Sequence, residues 1–344
     1  MNEPQIREVT FASGTETIAG DLVLPAGDGP HPALLTVAGT GPQNRYGDMV
    51  APDGVVSPHP RHRWVGERLS AAGIAQLRYD KRGVGMSTGG GSGPGEPPGE
   101  RDEYANVLTD VEDVHSAIEF LADQPEIDET RITVMGTSAG AYFSCLVAAR
   151  TDIPYSYILW GGVHMDMADF GDFIYGRVLE YAERGERERQ VVLDNAAEFF
   201  ERAEEWKDVL AAGRAGKERF EWEEDGETKS RSILRLKQEL ELEYPKQFAN
   251  IETPVMVIHG DEDMNVPVSE AYASAQALRD AGNEHVTLTI VPGADHGMHI
   301  APPTFTYDDR ILHLFRTQNE YPYSEYFIGS VIGWIKDLSL RFPD

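Results

Sequence analysis

Six short apolar runs constrain the fold of this 344-residue chain more than any other feature. They are Ala33–Ala38, Ile74–Tyr79, Ile132–Met135, Tyr155–Trp160, Val255–Ile258 and Val286–Val291. A continuous apolar run is typical of a strand buried on both faces, as in a parallel sheet that helices cover on both sides. The pattern therefore predicts an α/β fold with a mostly parallel, doubly wound sheet.

Amphipathic helices and a hairpin complete this pattern. Apolar residues recur at alternating spacings of four and three in two stretches, which predicts helices with one buried stripe. The first stretch contains Val107, Val111, Val114, Ile118 and Leu121, and the second contains Phe327, Val331, Trp334 and Leu338. Before the first apolar run, residues 6–11 and 18–24 alternate on either side of Gly14, which predicts an antiparallel hairpin.

Residues 165–250 interrupt the alternation of strands and helices. This stretch carries 22 acidic and 14 basic residues and shows no strand pattern. Apolar residues at helical spacing run along it, namely Val192, Ala196, Phe199, Ala203, Trp206 and Leu210, followed by Ile233, Leu236 and Leu240. We expect a helical insertion at 165–250 and a core formed by 1–164 and 251–344; a solvated, coiled-coil-like arm is the alternative.

Composition excludes several functions. The net charge of −28 repels nucleic acid and anionic membranes, so neither is expected as a partner. The insertion carries −8 and the remainder −20, an even spread that indicates solubility or tolerance of high salt rather than substrate steering. The chain has a single cysteine, no signal sequence and no apolar run of roughly 18 residues. We therefore expect a soluble, cytoplasmic protein.

The sequence lacks the motifs of phosphate-binding loops and of metal sites. The glycine-rich segment 89–99 lacks the Gly-Lys-Ser/Thr ending of a phosphate-binding loop, so we interpret it as a surface loop. No His-x-Glu, Cys-x-x-Cys or His-Glu-x-x-His spacing occurs, so neither a metal nor a cofactor is expected.

The residues that indicate chemistry begin with Gly136-Thr137-Ser138-Ala139-Gly140, a G-x-S-x-G motif. It lies between an apolar run and an apolar helical stretch, which predicts a sharp strand-to-helix turn with Ser138 at its apex. A serine is a weak nucleophile unless a base takes its proton and an acid orients that base. Two later loops, each after a predicted strand, offer Asp261 or Asp263 and His296 or His299.

With these motifs the chain resembles the α/β-hydrolase superfamily, in its serine esterase and serine-peptidase-like branches. Residues 136–140 match its nucleophile elbow, 260–263 its acid loop, 293–297 its histidine loop, and 79–87 its D-x-R-G-x-G-x-S turn. The resemblance implies that Ser138 is the nucleophile, His296 the general base and Asp263 the orienting acid, with Asp261 and His299 as rivals.

The resemblance also implies an oxyanion hole, a lid and substrate contacts. The backbone N–H groups of Ala139 and Thr40 are the expected oxyanion donors, with Gly41 as the next choice. The insertion at 165–250 stands where relatives carry a helical lid, and we expect Gly41, His164 and Met165 to contact substrate. An ion pair between Asp80 and Arg82 is expected to hold the D-x-R-G turn.

These inferences favour a cofactor-free carboxylic ester hydrolase that acts on a small, partly apolar molecule through an acyl-enzyme. A serine peptidase or amidase, a thioesterase-like hydrolase, perhydrolysis by the same residues and a non-catalytic ligand-binding protein remain alternatives. The segment 302–322 is expected either to cover the site or to form a homodimer contact.

Overall fold

The predicted hairpin and apolar runs form one eight-stranded sheet in the computed structural model, which describes residues 4–50, 55–89, 105–304 and 321–341. Its strands are β1 (Gln5–Ser13), β2 (Glu16–Leu24), β3 (His31–Val37), β4 (Ala75–Tyr79), β5 (Ile127–Thr137), β6 (Ser156–Trp160), β7 (Val255–Gly260) and β8 (Val286–Val291). Their order across the sheet is β1-β2-β4-β3-β5-β6-β7-β8. β2 pairs antiparallel with β1 and with β4, and β3 to β8 are parallel, so the predicted sheet is confirmed.

Helices cover both faces of this sheet. α1 (Arg61–Ala71) and α9 (Glu325–Arg341) pack on one face, and α2 (Val107–Ala122), α3 (Ala139–Ala148) and α8 (Ser269–Asp280) pack on the other. All five residues of the stripe predicted on α2 are fully buried. None of the helices in the described ranges combines the length and the apolar character that crossing a bilayer requires.

The predicted insertion is mainly helical. It contains α4 (Met167–Glu183), α5 (Glu186–Arg214), α6 (Leu234–Glu241) and α7 (Tyr244–Gln247). The stripe predicted from Val192 to Leu210 lies on α5, where Val192, Ala203, Trp206 and Leu210 are buried. Tyr175 of α4 packs against Trp206 with ring centroids 5.2 Å apart, so the two long helices have an apolar contact of their own.

A β-hairpin within the insertion was not expected from the sequence. Strands Arg219–Glu224 and Glu227–Ser232 pair antiparallel through Asp225-Gly226, whose φ angles are +52° and +77°. Two consecutive positive φ values are typical of the tight hairpin turn that Asp-Gly favours. The alternation of Phe220 and Trp222 with glutamates before this turn was the available signal, and the dense charge of the stretch obscured it.

The end of the predicted insertion packs against the core. The ring of Tyr244 in α7 stacks on Tyr142 of α3 with centroids 3.3 Å apart. Phe248, in a 3₁₀ turn that follows α7, is buried in the same core cluster. The chain from α7 onward therefore contributes to the core, although the division at residue 250 stays a prediction.

Two predicted segments lie largely outside the described residues. Of the glycine-rich segment, only Gly89 is described, and residues 90–99 are not. Of the segment 302–322, residues 305–320 fall outside the described ranges. The interpretations of both segments stay predictions.

Buried ion pairs connect the turn after β4 to the rest of the core. Asp80 accepts hydrogen bonds from Arg45, at 2.7 Å from Nη2 and 2.7 Å from the backbone N–H. Arg82 donates to Asp113 of α2 at 2.6 Å. The expected Asp80–Arg82 ion pair is therefore wrong, because each side chain finds a partner on an element distant in the sequence.

Replacement of Arg45 tests the contribution of these pairs to stability. Arg45 lies 2.6 Å from Asp21 and 2.7 Å from Asp80, and its side chain is 7% exposed. Arg45→Met leaves the buried carboxylate of Asp80 without its cationic partner, whereas Asp21 keeps Arg78 at 3.0 Å, so we expect the free energy of unfolding to fall by about 3–5 kcal/mol. Arg63→Met, which removes a well exposed pair with Glu67, should cost less than about 1 kcal/mol. Urea unfolding followed by circular dichroism measures the free energy of unfolding of both variants. Equal losses would contradict the stabilising role of the buried ion pairs.

Candidate active site

Ser138 occupies a sharp turn between β5 and α3. Its φ of +56° and ψ of −122° lie in a region that non-glycine residues rarely adopt and that costs about 1–3 kcal/mol. A Cβ atom on Gly136 would lie 2.1 Å from the carbonyl oxygen of Gly140, and a Cβ atom on Gly140 would lie 2.4 Å from that of Val37. Both glycines of the motif are thus required by close backbone contact.

Asp263 and His296 form a hydrogen-bonded pair at the same end of the sheet. Asp263 lies in the loop after β7, and its Oδ2 is 2.7 Å from Nδ1 of His296. Its Oδ1 accepts hydrogen bonds from the backbone N–H groups of Asn265 and Val266, at 2.8 and 2.9 Å. Because the carboxylate accepts, Nδ1 of His296 is the donor, which leaves Nε2 unprotonated in the neutral ring.

A second histidine supports the same carboxylate. Nε2 of His259 lies 2.9 Å from the carbonyl oxygen of Val266 and 3.2 Å from Oδ2 of Asp263, so it carries the proton and donates. Burial raises the pKa of Asp263, but the adjacent His296 and His259 outweigh it and hold that pKa well below its usual range. Burial lowers the pKa of His259, and the hydrogen bond and charge of Asp263 more than reverse this. Asp263 is therefore held as a carboxylate.

The end of β6 brings Ser138 and the Asp263–His296 pair to one place. The backbone N–H of Ser138 donates to the carbonyl oxygen of Trp160 at 2.8 Å, and the indole N–H of Trp160 donates to the carbonyl oxygen of His296 at 3.1 Å. A Cβ atom on Gly161 would lie 3.2 Å from Nδ1 of His296. Ser138 and His296, both in the described part of the chain, are not hydrogen-bonded to each other, which is common before substrate binds.

The loop after β3 passes directly against Ser138. A Cβ atom on Gly39 would lie 3.0 Å from Cβ of Ser138. Thr40, the next residue, is exposed, and Ala139 is the first residue of α3, where a backbone N–H has no partner within the helix. Ala139 thus follows Ser138 directly, Thr40 follows a glycine that lies against Ser138, and the role of both as oxyanion donors stays a prediction.

The rival residues have other partners. Oδ1 of Asp261 accepts a hydrogen bond from the backbone N–H of Gly293 at 2.6 Å. His299 is buried, stacks on Tyr323 with centroids 4.2 Å apart, and lies 3.4 Å from Asp295. Among the two candidate acids and the two candidate histidines, the structure therefore brings Asp263 and His296 together.

The expected substrate contacts lie at the entrance to the insertion and in the loop after β3. The backbone N–H groups of His164 and Met165 donate to Oε2 of Glu270 at 2.9 and 2.7 Å. His164 is half-buried against Phe248, and burial lowers its pKa although Glu270 opposes this. Gly41 has φ of +89°, which favours glycine, and a Cβ atom there would lie 2.5 Å from the terminal methyl of Met49. Their role in binding stays a prediction, and Glu270 had no signal in the sequence.

Comparisons with known proteins give a family and a fold. A family model described as X-Pro dipeptidyl-peptidase (S15 family) matches residues 14–297. Esterase EstD of Thermotoga maritima is 28% identical over 137 residues, which cover 39% of this chain. The match spans only 28% of the length of EstD.

Solved structures cover almost the whole chain. An esterase of Pyrococcus furiosus has a TM-score of 0.56 at 16% identity, with 97% of this chain and 91% of the esterase covered. Est1E from Butyrivibrio proteoclasticus with ferulic acid bound has a TM-score of 0.55 at 14% identity, with 97% of this chain and 98% of Est1E covered. The acylaminoacyl peptidase of Pyrococcus horikoshii has a TM-score of 0.52 at 16% identity, with 94% of this chain and 43% of the peptidase covered. The α/β-hydrolase fold is confirmed.

The strain at Ser138 gives a test that needs no substrate. Ser138→Gly and Ser138→Ala both remove the hydroxyl, but only glycine adopts the positive φ without cost. We expect the glycine variant to be more stable than the alanine variant by about 1 kcal/mol in urea unfolding. At Ser144, inside α3, the order should reverse by a similar amount, because glycine weakens a helix. The same order at both positions would contradict the strained turn.

Proposed function

The chain belongs to the X-Pro dipeptidyl-peptidase (S15) family, and from this membership and the site geometry we infer that it is a serine hydrolase; because several of its relatives are esterases, we propose a carboxylic ester as the bond it cleaves. The observation that carries this proposal is the 2.7 Å hydrogen bond between Asp263 and His296, placed beside the strained turn that holds Ser138. Nucleophile, base and orienting acid are the three groups that acyl transfer requires.

The proposed reaction proceeds through an acyl-enzyme. Oγ of Ser138 attacks the carbonyl carbon while Nε2 of His296 takes its proton, and Asp263 stabilises the imidazolium that forms. The N–H groups of Ala139 and Thr40 bind the oxyanion of the tetrahedral intermediate, each worth roughly 3 kcal/mol. The intermediate collapses as the imidazolium protonates the departing alcohol. Water then attacks the acyl-enzyme by the same proton transfers, which releases the acid and restores Ser138.

We propose a small, partly apolar ester as the substrate. The net charge of −28 disfavours polyanionic partners, but its even spread gives no further information about the substrate. The insertion that follows β6 is rich in aromatic residues, which favours an apolar acyl or alcohol group. Some of these rings pack against other side chains of the insertion, since Tyr175 lies 5.1 Å from Phe199 and Phe173 lies under Arg177. We propose Gly41, His164 and Met165 as substrate contacts.

A peptidase activity is the second candidate, because the family match covers residues 14–297. The same three groups cleave amides, although an amine leaves only after the imidazolium has protonated it. Esters and amides of the same acyl group therefore distinguish the two functions.

Chromogenic substrates test the proposed activity. We expect turnover of short-chain p-nitrophenyl esters that exceeds the turnover of aminoacyl and X-Pro p-nitroanilides. A fluorophosphonate should label the parent protein and leave Ser138→Ala unlabelled. Faster anilide cleavage would favour the peptidase. The absence of both turnover and labelling would contradict both functions.

Paired variants test the assignment of base and acid. Asp263→Asn changes the hydrogen bond that sets the tautomer of His296, so kcat should fall by about 10⁴-fold. Asp261→Asn retains an acceptor for Gly293 and should keep kcat within about tenfold of the parent. His296→Ala should abolish turnover, whereas His299→Ala should retain it. Loss of activity in His299→Ala with activity kept in His296→Ala would overturn the assignment.

A further inference from the structure

Lys81 is a buried lysine whose ammonium group points at the loop beside Ser138. It follows Asp80 in the turn after β4, and its side chain is only 4% exposed. Its Nζ donates a hydrogen bond to the carbonyl oxygen of Gly39 at 2.8 Å and lies 3.3 Å from Oδ2 of Asp110 on α2. Lysine is rarely buried, because removing an ammonium group from water is costly unless it is paired and hydrogen-bonded.

The hydrogen bond to Gly39 fixes the orientation of a whole peptide group. The carbonyl of Gly39 and the N–H of Thr40 belong to one planar trans peptide, so they point in opposite directions. An ammonium group that holds the carbonyl on one side therefore directs the N–H of Thr40 to the other. Gly39 itself lies against Ser138, since a Cβ atom placed on it would be 3.0 Å from Cβ of Ser138.

We propose that Lys81 is a positioning residue for the oxyanion hole. It holds the Gly39–Thr40 peptide so that the N–H of Thr40 faces the oxygen that becomes negative during acyl transfer. Its positive charge also polarises the peptide and makes that N–H a stronger donor. This inference rests on the proposed function and adds to it a residue that does not touch the substrate.

The insertion helps to hold Lys81 in place. Oδ2 of Asp110 also accepts a hydrogen bond from Nη1 of Arg235 on α6, at 3.1 Å. Nε of Arg235 donates to Glu239 at 3.1 Å, and the hydroxyl of Tyr244 donates to the same carboxylate at 3.3 Å. The ammonium that fixes the oxyanion loop thus shares its counter-ion with a helix of the insertion. Docking of α6 and the orientation of the Thr40 N–H are coupled through Asp110.

Lys81→Met tests the proposal, because it keeps the aliphatic stem and removes the charge. Asp110 retains Arg235 as a partner, so the variant should fold. We expect kcat for a p-nitrophenyl ester to fall by about 10- to 100-fold with KM within about threefold, since the oxyanion interaction exists only in the transition state. Lys237→Met, which removes a lysine paired with Glu218 on the surface of α6, is the matched control and should change neither constant.

A second readout separates positioning from a merely structural role. The affinity for a trifluoromethyl ketone, which forms a tetrahedral oxyanion on serine, should fall by the same factor as kcat/KM. If kcat of Lys81→Met stays within threefold of the parent, or the inhibitor binds unchanged, the proposal is overturned. If Lys81→Met does not fold, Lys81→Arg keeps the charge near Asp110 but shifts the donor, and a kcat equal to the parent's would overturn the proposal.

The failure of this inference is distinguishable from that of the proposed function. If the parent protein reacts with a fluorophosphonate at Ser138 and Lys81→Met reacts at the same rate, only the role of Lys81 is lost. If the parent does not react at all, the proposed function fails and the role of Lys81 fails with it. Slower phosphonylation of Lys81→Met, in proportion to its loss of kcat, supports both.

Discussion

Close backbone contact at one point of the sheet is the constraint on which the site depends. β5, α3 and the loop after β3 meet where Gly136, Gly140 and Gly39 carry no side chain, and a Cβ atom at any of them would lie within 3.0 Å of a neighbouring atom. Ser138 has a positive φ at this contact, and Gly39, the residue before Thr40, lies beside it. The strained serine and its proposed oxyanion donors are thus consequences of the same packing.

Two consecutive charged residues hold the loop after β3 against that point, and a third connects their turn to α2. Asp80 binds Arg45 of the loop, Lys81 binds the carbonyl of Gly39, and Arg82 binds Asp113 of α2. Each charge is buried and compensated, so the loop is fixed by directional bonds rather than by apolar packing alone. An oxyanion donor on a loop needs such support, because a displacement of about 1 Å is enough to cost 10²-fold in rate. The D-x-R-G turn after β4 therefore holds the loop after β3 in place.

The strands and the turn at Ser138 could be predicted from the sequence because they depend on local features. The residues alone left Asp261 or Asp263 and His296 or His299 open, and only the resemblance to the α/β-hydrolases favoured the Asp263–His296 pair. A buried parallel strand is a continuous apolar run, and Ser138 is marked by glycines at fixed offsets. The partners of Asp80 and Arg82 could not be predicted, since Arg45 and Asp113 are distant in the sequence and meet them only in the folded chain. The hairpin around Asp225-Gly226 had a turn signal, but glutamates on both strands concealed its alternation. The role of Lys81 depends on a peptide orientation that no sequence pattern encodes.

The most direct test of this account is a crystal structure of the protein after reaction with a phosphonate. The account predicts phosphorus bonded to Oγ of Ser138 and a phosphoryl oxygen within about 2.7–3.1 Å of the backbone nitrogens of both Ala139 and Thr40. The carbonyl of Gly39 should remain on Nζ of Lys81. A phosphoryl oxygen directed away from Thr40, or a Gly39–Thr40 peptide in the opposite orientation, would contradict it.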